Sequence, residues 1–193
     1  MKRKTFFKKI PSEEITPLEI YMRFLDDKNS YFFESVEGGE KWAKYSIIGL
    51  PTDKKIKLSD SPLDEIDDFM KSQKVERIEG LPDFTGGLVG YFSYDTIRHI
   101  EKKLSNSKKP QLNYAEISLM ISDELIVYDN YEKNLFIIVN DFEKNEKLAN
   151  SRIDEILQQI KTPLEDQENS KKSKIEFSSS VSKKDYLQNV KKI

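Results

Sequence analysis

Three apolar runs of strand length lie close together between residues 115 and 140, and they constrain the fold more than any other part of the sequence. They are Ala115–Ser122, Glu124–Asp129 and Leu135–Asn140. Because the connections between them are short and contain turn-forming residues, neighbouring runs are expected to pair as antiparallel strands. The third run is almost wholly apolar, which is typical of a strand covered on both faces. The segment therefore predicts an antiparallel meander buried between two layers.

A second pair of apolar runs predicts a β-hairpin. Its arms are Ser30–Ser35 and Ala43–Gly49, and Gly38-Gly39 between them can supply the positive φ that a reversal needs. The first arm ends in two phenylalanines followed by Glu34 and Ser35, which alternation sends to opposite faces. A ligand at this end of the hairpin would meet one of these side chains and the neighbouring main chain.

Cap residues and apolar periodicity predict the remaining elements. The additional strands are Thr5–Ile10, at a sheet edge, and Lys54–Leu58. The helices begin after the caps Thr16, Ser61, Asp95 and Ser182, with a further helix over Glu143–Ile160. The first helix runs to about Asp26. The buried positions predicted for the three longer helices are Leu18, Tyr21, Phe24 and Leu25; Leu63, Ile66, Phe69 and Met70; and Leu148, Ile153, Ile156, Leu157 and Ile160.

A glycine-rich stretch from Gly86 to Gly90 invites comparison with a phosphate-binding loop. It lacks the Gly-Lys-Ser/Thr ending, and it runs into a strand instead of out of a strand into a helix. We therefore interpret these glycines as positions of close backbone approach or of a β-bulge.

Composition excludes several classes of site. The 193 residues contain 32 Lys and Arg against 34 Asp and Glu, a formal charge of -2, so a nucleic-acid-binding field is not indicated. There is no cysteine and one histidine, His99, which excludes thiolate sites and makes a histidine-based zinc site implausible. Acidic residues near residues 60 to 68 are interpreted as a solvated helix face, not as a metal site.

The chain shows no membrane segment and no secretory signal. Its mean hydropathy is -0.66, and no apolar run approaches the ~18 residues of a membrane span. We expect a cytoplasmic protein. Residues 1–161 are predicted to form one α+β domain, 162–174 a polar linker, and 175–193 the start of a second domain.

Five blocks of the sequence carry a family resemblance. They are Phe32-Phe33-Glu34-Ser35, Gly39 to Gly49, Gly86 to Asp95, Asp123 to Asp129, and Asp185 to Ile193. Together and in this order they resemble the amino-terminal region of the anthranilate synthase component I family of chorismate-utilising enzymes. The last block is similar to the opening of that family's catalytic region, so the resemblance implies a chain truncated before its catalytic residues.

The resemblance implies a fold, an activity and partners. The fold is α+β, with mainly antiparallel sheets, helices packed on the outside and a layered, β-sandwich-like core. The full-length enzyme is a lyase that converts chorismate and ammonia from glutamine to anthranilate and pyruvate, with Mg2+ and a glutamine amidotransferase subunit, component II. This chain alone is expected to be inactive, with no catalytic residue, metal ligand or cofactor of its own.

The resemblance also implies a site for the feedback inhibitor L-tryptophan. Its residues here are Phe33, Glu34, Ser35, Lys44, Tyr45, Ser46 and Ile47. The family commonly has Leu-Leu before Glu-Ser and Arg in place of Lys44, which lacks the planar guanidinium. Glu34 can accept the ligand's ammonium, while Lys44 can face its indole or carboxylate.

Other interpretations of the same residues stay open. Glu34 can instead pair with Lys44 across the hairpin while Ser35 simply ends the strand. The chain can also be the matching part of aminodeoxychorismate synthase component I, in the folate pathway, or a small-molecule-binding module with no enzymatic role.

Overall fold

The computed structural model describes residues 3–12, 14–26, 28–34, 44–58, 61–73, 77–104, 114–141, 143, 145–164 and 178–192. The strands in these ranges are β1 (Lys4–Pro11), β2 (Asn29–Phe33), β3 (Tyr45–Thr52), β4 (Gly87–Phe92), β5 (Ile117–Ser122), β6 (Glu124–Asp129) and β7 (Asn134–Asp141). The α-helices are α1 (Pro17–Arg23), α2 (Pro62–Ser72), α3 (Ile97–Ile100), α4 (Glu146–Lys161) and α5 (Lys183–Lys191). No helix in the described ranges has the length and apolar character needed to cross a membrane.

The larger of two sheets has five strands in the order β1-β7-β6-β3-β2. All four pairings are antiparallel, and the hairpin β2–β3 places Phe33 opposite Ile47. The predicted antiparallel pairing of the two hairpin arms and the edge position of β1 are confirmed, whereas the predicted reversal at Gly38-Gly39 lies outside the described residues. The structure is an α+β fold with antiparallel sheets, as predicted, whereas the sandwich-like layering of the whole core stays a prediction.

Both faces of this sheet are buried. On one face Ile48, Ile126 and Ile137 pack with Ile20 of α1 and Ile156 of α4. On the other face, Leu81 and Phe84 pack against a smaller cluster of buried strand residues: Leu125, Val127, Phe136 and Ile138. The prediction that the third apolar run is covered on both faces is confirmed.

The predicted meander is wrong in one respect, because β5 lies in a different sheet from β6 and β7. It pairs antiparallel with β4, from Gly87 opposite Ser122 to Phe92 opposite Ile117. The strand β6 is already paired on both edges, by β3 and by β7, so β5 cannot join it. The chain therefore changes sheets at Asp123.

The glycines of this second sheet allow close approach, as predicted. A Cβ at Gly90 would overlap the Ser118 carbonyl of the paired strand. Gly86 and Gly87 have φ of 122° and 147°, a backbone region that other residues rarely adopt. The segment predicted as a strand from Lys54 makes only a single bridge, between Lys55 and Met120.

Helix α1 is shorter than predicted. It ends at Arg23, because Phe24 leaves helical geometry with φ of -111° and ψ of 6°. Of the predicted stripe, Leu18 and Leu25 are more than half exposed, whereas Phe24 is buried together with Ile20. The helix therefore contacts the sheet along a face rotated from the predicted one.

Two further helix predictions also need correction. Leu148, predicted to be buried in α4, is 60% exposed, and Ala149 is buried instead. Asp95 does not cap a helix through its side chain: it lies within a short 3₁₀ turn, where its carboxylate accepts hydrogen bonds from Arg98 and Tyr114. Met70 of α2 is exposed as well.

Candidate functional site

The end of strand β2 presents the first predicted site residues. Phe33 is the last residue of the strand and is 54% exposed, and Glu34 follows it, also exposed. The register Phe33–Ile47 brings these two predicted residues side by side on neighbouring strands. Ser35 lies outside the described residues, so its predicted role stays a prediction.

The second arm of the hairpin divides its predicted residues between the two faces of the sheet. Tyr45 and Ile47 pack against the cluster formed by Leu125 and its neighbours. Ser46 alternates with them, is fully buried, and exchanges hydrogen bonds of 3.1–3.2 Å with the Asn130 amide. Ser46 thus supports the start of β3 from the inside.

A turn after β6 fixes this end of the sheet, and Asp129 organises it. Asp129 is 1% exposed, and its Oδ1 accepts hydrogen bonds from the main-chain N–H groups of Tyr131 at 3.0 Å and Glu132 at 2.8 Å. The Asn130 N–H donates to the Lys44 carbonyl at 2.8 Å. From the sequence, Asp129 and Asn130 are predicted only to take part in a turn. Their position at the end of strand β6 is the signal that they also hold β3.

Lys44 lies beside this turn, directly before β3, and its side chain is a cation. Its Nζ lies 3.8 Å from Asp129 Oδ2 and 5.2 Å from the centre of the Tyr45 ring. A side-chain hydrogen bond with Tyr45, supported by the nearby Asp129 carboxylate, raises the pKa of Lys44 above its usual value. Among the described residues Lys44 therefore pairs with Asp129, and the alternative that it pairs with Glu34 is not what the structure shows.

This end of the hairpin can offer three kinds of contact to a ligand. Phe33 and Ile47 provide apolar surface, Glu34 an exposed carboxylate, and Lys44 an ammonium whose side chain is 41% exposed. A zwitterion with an aromatic side chain has the matching groups. Two cavities of about 310 and 320 Å³ lie elsewhere, the first beside Arg77 and the second beside Asp123.

The single histidine of the chain forms an ion pair with a glutamate. His99 is paired with Glu116 at 2.9 Å, remote from Phe33 in the sequence. Among the described residues no group of three or more His, Cys, Asp or Glu side chains can hold a metal ion.

Comparison with known proteins assigns the chain to a family. A family profile described as "chorismate binding enzyme" matches residues 28–193. Anthranilate synthase component 1 of Pseudomonas aeruginosa is 37% identical over 175 residues, covering 77% of this chain and 35% of the relative. The protein of the same name from Acetivibrio thermocellus is 34% identical, covering 92% and 42%. The chain thus spans well under half of these relatives' length.

A solved structure shares the fold. Anthranilate synthase component I from Streptococcus pneumoniae superposes with a TM-score of 0.54 at 19% sequence identity, over 80% of this chain and 37% of that one. At this identity the likeness shows the fold alone. The family assignment depends on the profile match, which extends over most of the sequence. This chain belongs to the family of chorismate-binding enzymes.

Proposed function

We propose that this chain is the L-tryptophan-binding, feedback-regulatory part of an anthranilate synthase component I. The observation that carries the proposal is the exposed end of the β2–β3 hairpin, where Phe33, Glu34 and Lys44 offer an apolar ring, a carboxylate and a cation. Glu34 would accept the tryptophan ammonium, and Phe33 with Ile47 would contact the indole. The names of the relatives support the choice of enzyme.

In this proposal the full-length protein is a lyase that forms anthranilate and pyruvate from chorismate and ammonia. The ammonia would come from a glutamine amidotransferase subunit, component II. The chain covers 35–42% of its relatives, so the catalytic residues and the Mg2+ they use are assigned to the remaining part. Residues 175–193 would open that catalytic domain, after a linker at 162–174.

Regulation would work through a difference in affinity. Tryptophan inhibits only if it binds the inhibited arrangement better than the active one, typically by about 1–3 kcal/mol. The hairpin end would carry that preference because it is exposed on one side and anchored to the buried turn at Asp129 on the other.

The test is a calorimetric titration of the full-length protein with L-tryptophan. Glu34→Gln removes the proposed ammonium partner and is expected to weaken binding by about tenfold or more. Glu79→Gln, which changes another exposed glutamate, is the matched control and should bind as the parent does. Equal affinity of the two variants would exclude Glu34 from the site.

The product of the full-length protein distinguishes the two related enzymes. With chorismate and ammonia, the proposal predicts anthranilate, detected by its fluorescence. Formation of aminodeoxychorismate would assign the chain to the folate-pathway enzyme instead. Absence of any chorismate turnover in the full-length protein with its amidotransferase subunit would favour a non-enzymatic binding module.

A further inference from the structure

The strand that carries Phe33 is held by few backbone contacts. Among the described strands, β2 pairs only with β3 and forms an edge of the five-stranded sheet. Its pairing is also irregular, with a register shift between Asn29 and Tyr31. Because one edge of β2 has no strand partner in the described chain, side-chain contacts must contribute to the position of its exposed end.

Tyr31 is the side chain of β2 that is most deeply buried. It is 8% exposed, and its ring fills the space above Gly49 on the paired strand, where a Cβ would overlap the ring. The ring centre also lies 5.1 Å from that of Phe33, at a tilt of 36°. Tyr31 therefore supports directly the first aromatic residue of the proposed tryptophan site.

The hydroxyl of Tyr31 reaches the second sheet. It forms a hydrogen bond of 2.8 Å with the Ser122 hydroxyl, at the end of β5. Burial raises the pKa of Tyr31 to about 12, as expected for a phenol enclosed by protein. This contact ties an edge strand of one sheet to the last residue of a strand in the other.

The main chain at Ser122 is held in place by contacts with other strands and with Arg3. Arg3 donates from Nη2 to the Ser122 carbonyl at 3.0 Å, and the same nitrogen lies 3.4 Å from Asp123 Oδ1. Asn140 donates to the carbonyls of Asp123 at 2.9 Å and Thr85 at 2.8 Å. The corner between the sheets is thus held by Arg3, which directly precedes β1, and by Asn140 of β7, and Tyr31 anchors β2 to it.

The geometry points to Tyr31 as the positioning residue for the proposed tryptophan site: its hydrogen bond to Ser122 sets where Phe33 and Glu34 stand. This inference rests on the proposed function and adds to it a residue that does not itself face the ligand. Without this hydrogen bond the end of β2 would keep the same side chains but would adopt the binding position in a smaller fraction of the molecules. The apparent affinity for tryptophan would fall accordingly.

The experiment removes the hydrogen bond while keeping the ring. Tyr31→Phe, Ser122→Ala and the double variant are made in the full-length protein. The matched control is Tyr21→Phe. It removes from helix α1 a hydroxyl that lies 3.2 Å from the Ser30 hydroxyl, and Ser30 belongs to β2 but faces the side of the sheet opposite to Tyr31. Two quantities are measured: the tryptophan dissociation constant, and the hydrogen-exchange rates of the amides of residues 32–34 without ligand.

Tyr31→Phe and Ser122→Ala are each expected to weaken tryptophan binding about 5- to 10-fold and to speed exchange at residues 32–34 by a similar factor. The double variant should match the single ones, because both remove the same contact. Tyr21→Phe should stay within about twofold of the parent, and chorismate KM and kcat without tryptophan should not change in any variant.

The two readouts separate the two hypotheses. Unchanged exchange at residues 32–34 in Tyr31→Phe, or a change equal to that of Tyr21→Phe, would overturn the positioning role. Failure of the parent protein to bind tryptophan would instead overturn the proposed function, and faster exchange in Tyr31→Phe would then still establish that Tyr31 holds the strand end. Additive effects in the double variant would show that Tyr31 and Ser122 act separately.

Discussion

Tyr31 is expected to make the free energy of unfolding of the domain fall with rising pH in the alkaline range. Burial raises the pKa of Tyr31 from 10.0 to about 12, so the phenol ionises in the unfolded chain at a lower pH than in the folded one. The stability that Tyr31 contributes is complete below pH 10 and is lost as the pH rises towards 12. Between pH 9 and 11.5 the parent should lose about 2 kcal/mol more than Tyr31→Phe in urea unfolding. Parallel pH profiles would contradict this.

Arg3 shows how burial changes the contribution of an ion pair to the stability of the fold. It is 6% exposed, and desolvation lowers its pKa although Asp123 lies beside it. Arg3→Met leaves the buried Asp123 with Lys54 as its remaining cation but removes the charged donor of the Ser122 carbonyl, and it should destabilise the fold by about 2–3 kcal/mol. Lys8→Met, in the strand β1 that follows Arg3, is the control, because its pair with Asp154 is exposed and should contribute less than about 1 kcal/mol. Similar losses in urea unfolding would refute the distinction.

At the scale of the element, α1 and α2 allow a direct comparison of two helix caps. The Thr16 hydroxyl accepts from the Glu19 N–H at 3.2 Å, and the Glu19 carboxylate accepts in return from the Thr16 N–H at 2.8 Å. Ser61 occupies the same position before α2 but makes no side-chain capping bond. Thr16→Ala should therefore destabilise the domain by about 1 kcal/mol, and Ser61→Ala by less than about 0.5 kcal/mol, in urea unfolding. The reverse order would show that the caps are not formed as described.

Elements whose signals are local could be predicted from the sequence, and their packing could not. The cap at Thr16 is predicted from neighbouring residues and is confirmed, with Glu19 three positions later completing a capping box. Which face of α1 is buried depends on where the sheet lies, so Leu18 was predicted to be buried and is exposed, while Ile20 is buried. The sheet change at Asp123 was missed for the same reason, since it follows from β3 occupying the free edge of β6.

For the molecule as a whole, the contacts that join the two sheets cannot be predicted from local sequence patterns. Tyr31 and Ser122 are 91 residues apart in the sequence, and Arg3 and Ser122 are 119 apart. The candidate site shows the same limit. Family resemblance indicated Glu34 and Lys44, but the buried Asp129 that holds Lys44 in place became visible only through the pairing of β3 with β6. Family resemblance thus proposes side chains for a ligand site, whereas the residues that support these side chains are found only from the pairing of distant strands.

The two ends of the described chain should contribute very differently to stability. Strand β1 pairs with β7 from Lys4 opposite Asp141 to Pro11 opposite Asn134 and brings Phe6 into the main core. In α5, by contrast, every residue from 183 to 191 is exposed. A chain of residues 1–181, which lacks α5, should therefore have a free energy of unfolding in urea within about 0.5 kcal/mol of that of residues 1–193. A chain of residues 12–193 should lose cooperative unfolding, because β7 would expose a long apolar edge and the core would lose one wall. Cooperative unfolding of residues 12–193 at the parental midpoint, followed by circular dichroism, would show that β1 is dispensable and that the sheet is stabilised mainly by the pairing of β3, β6 and β7.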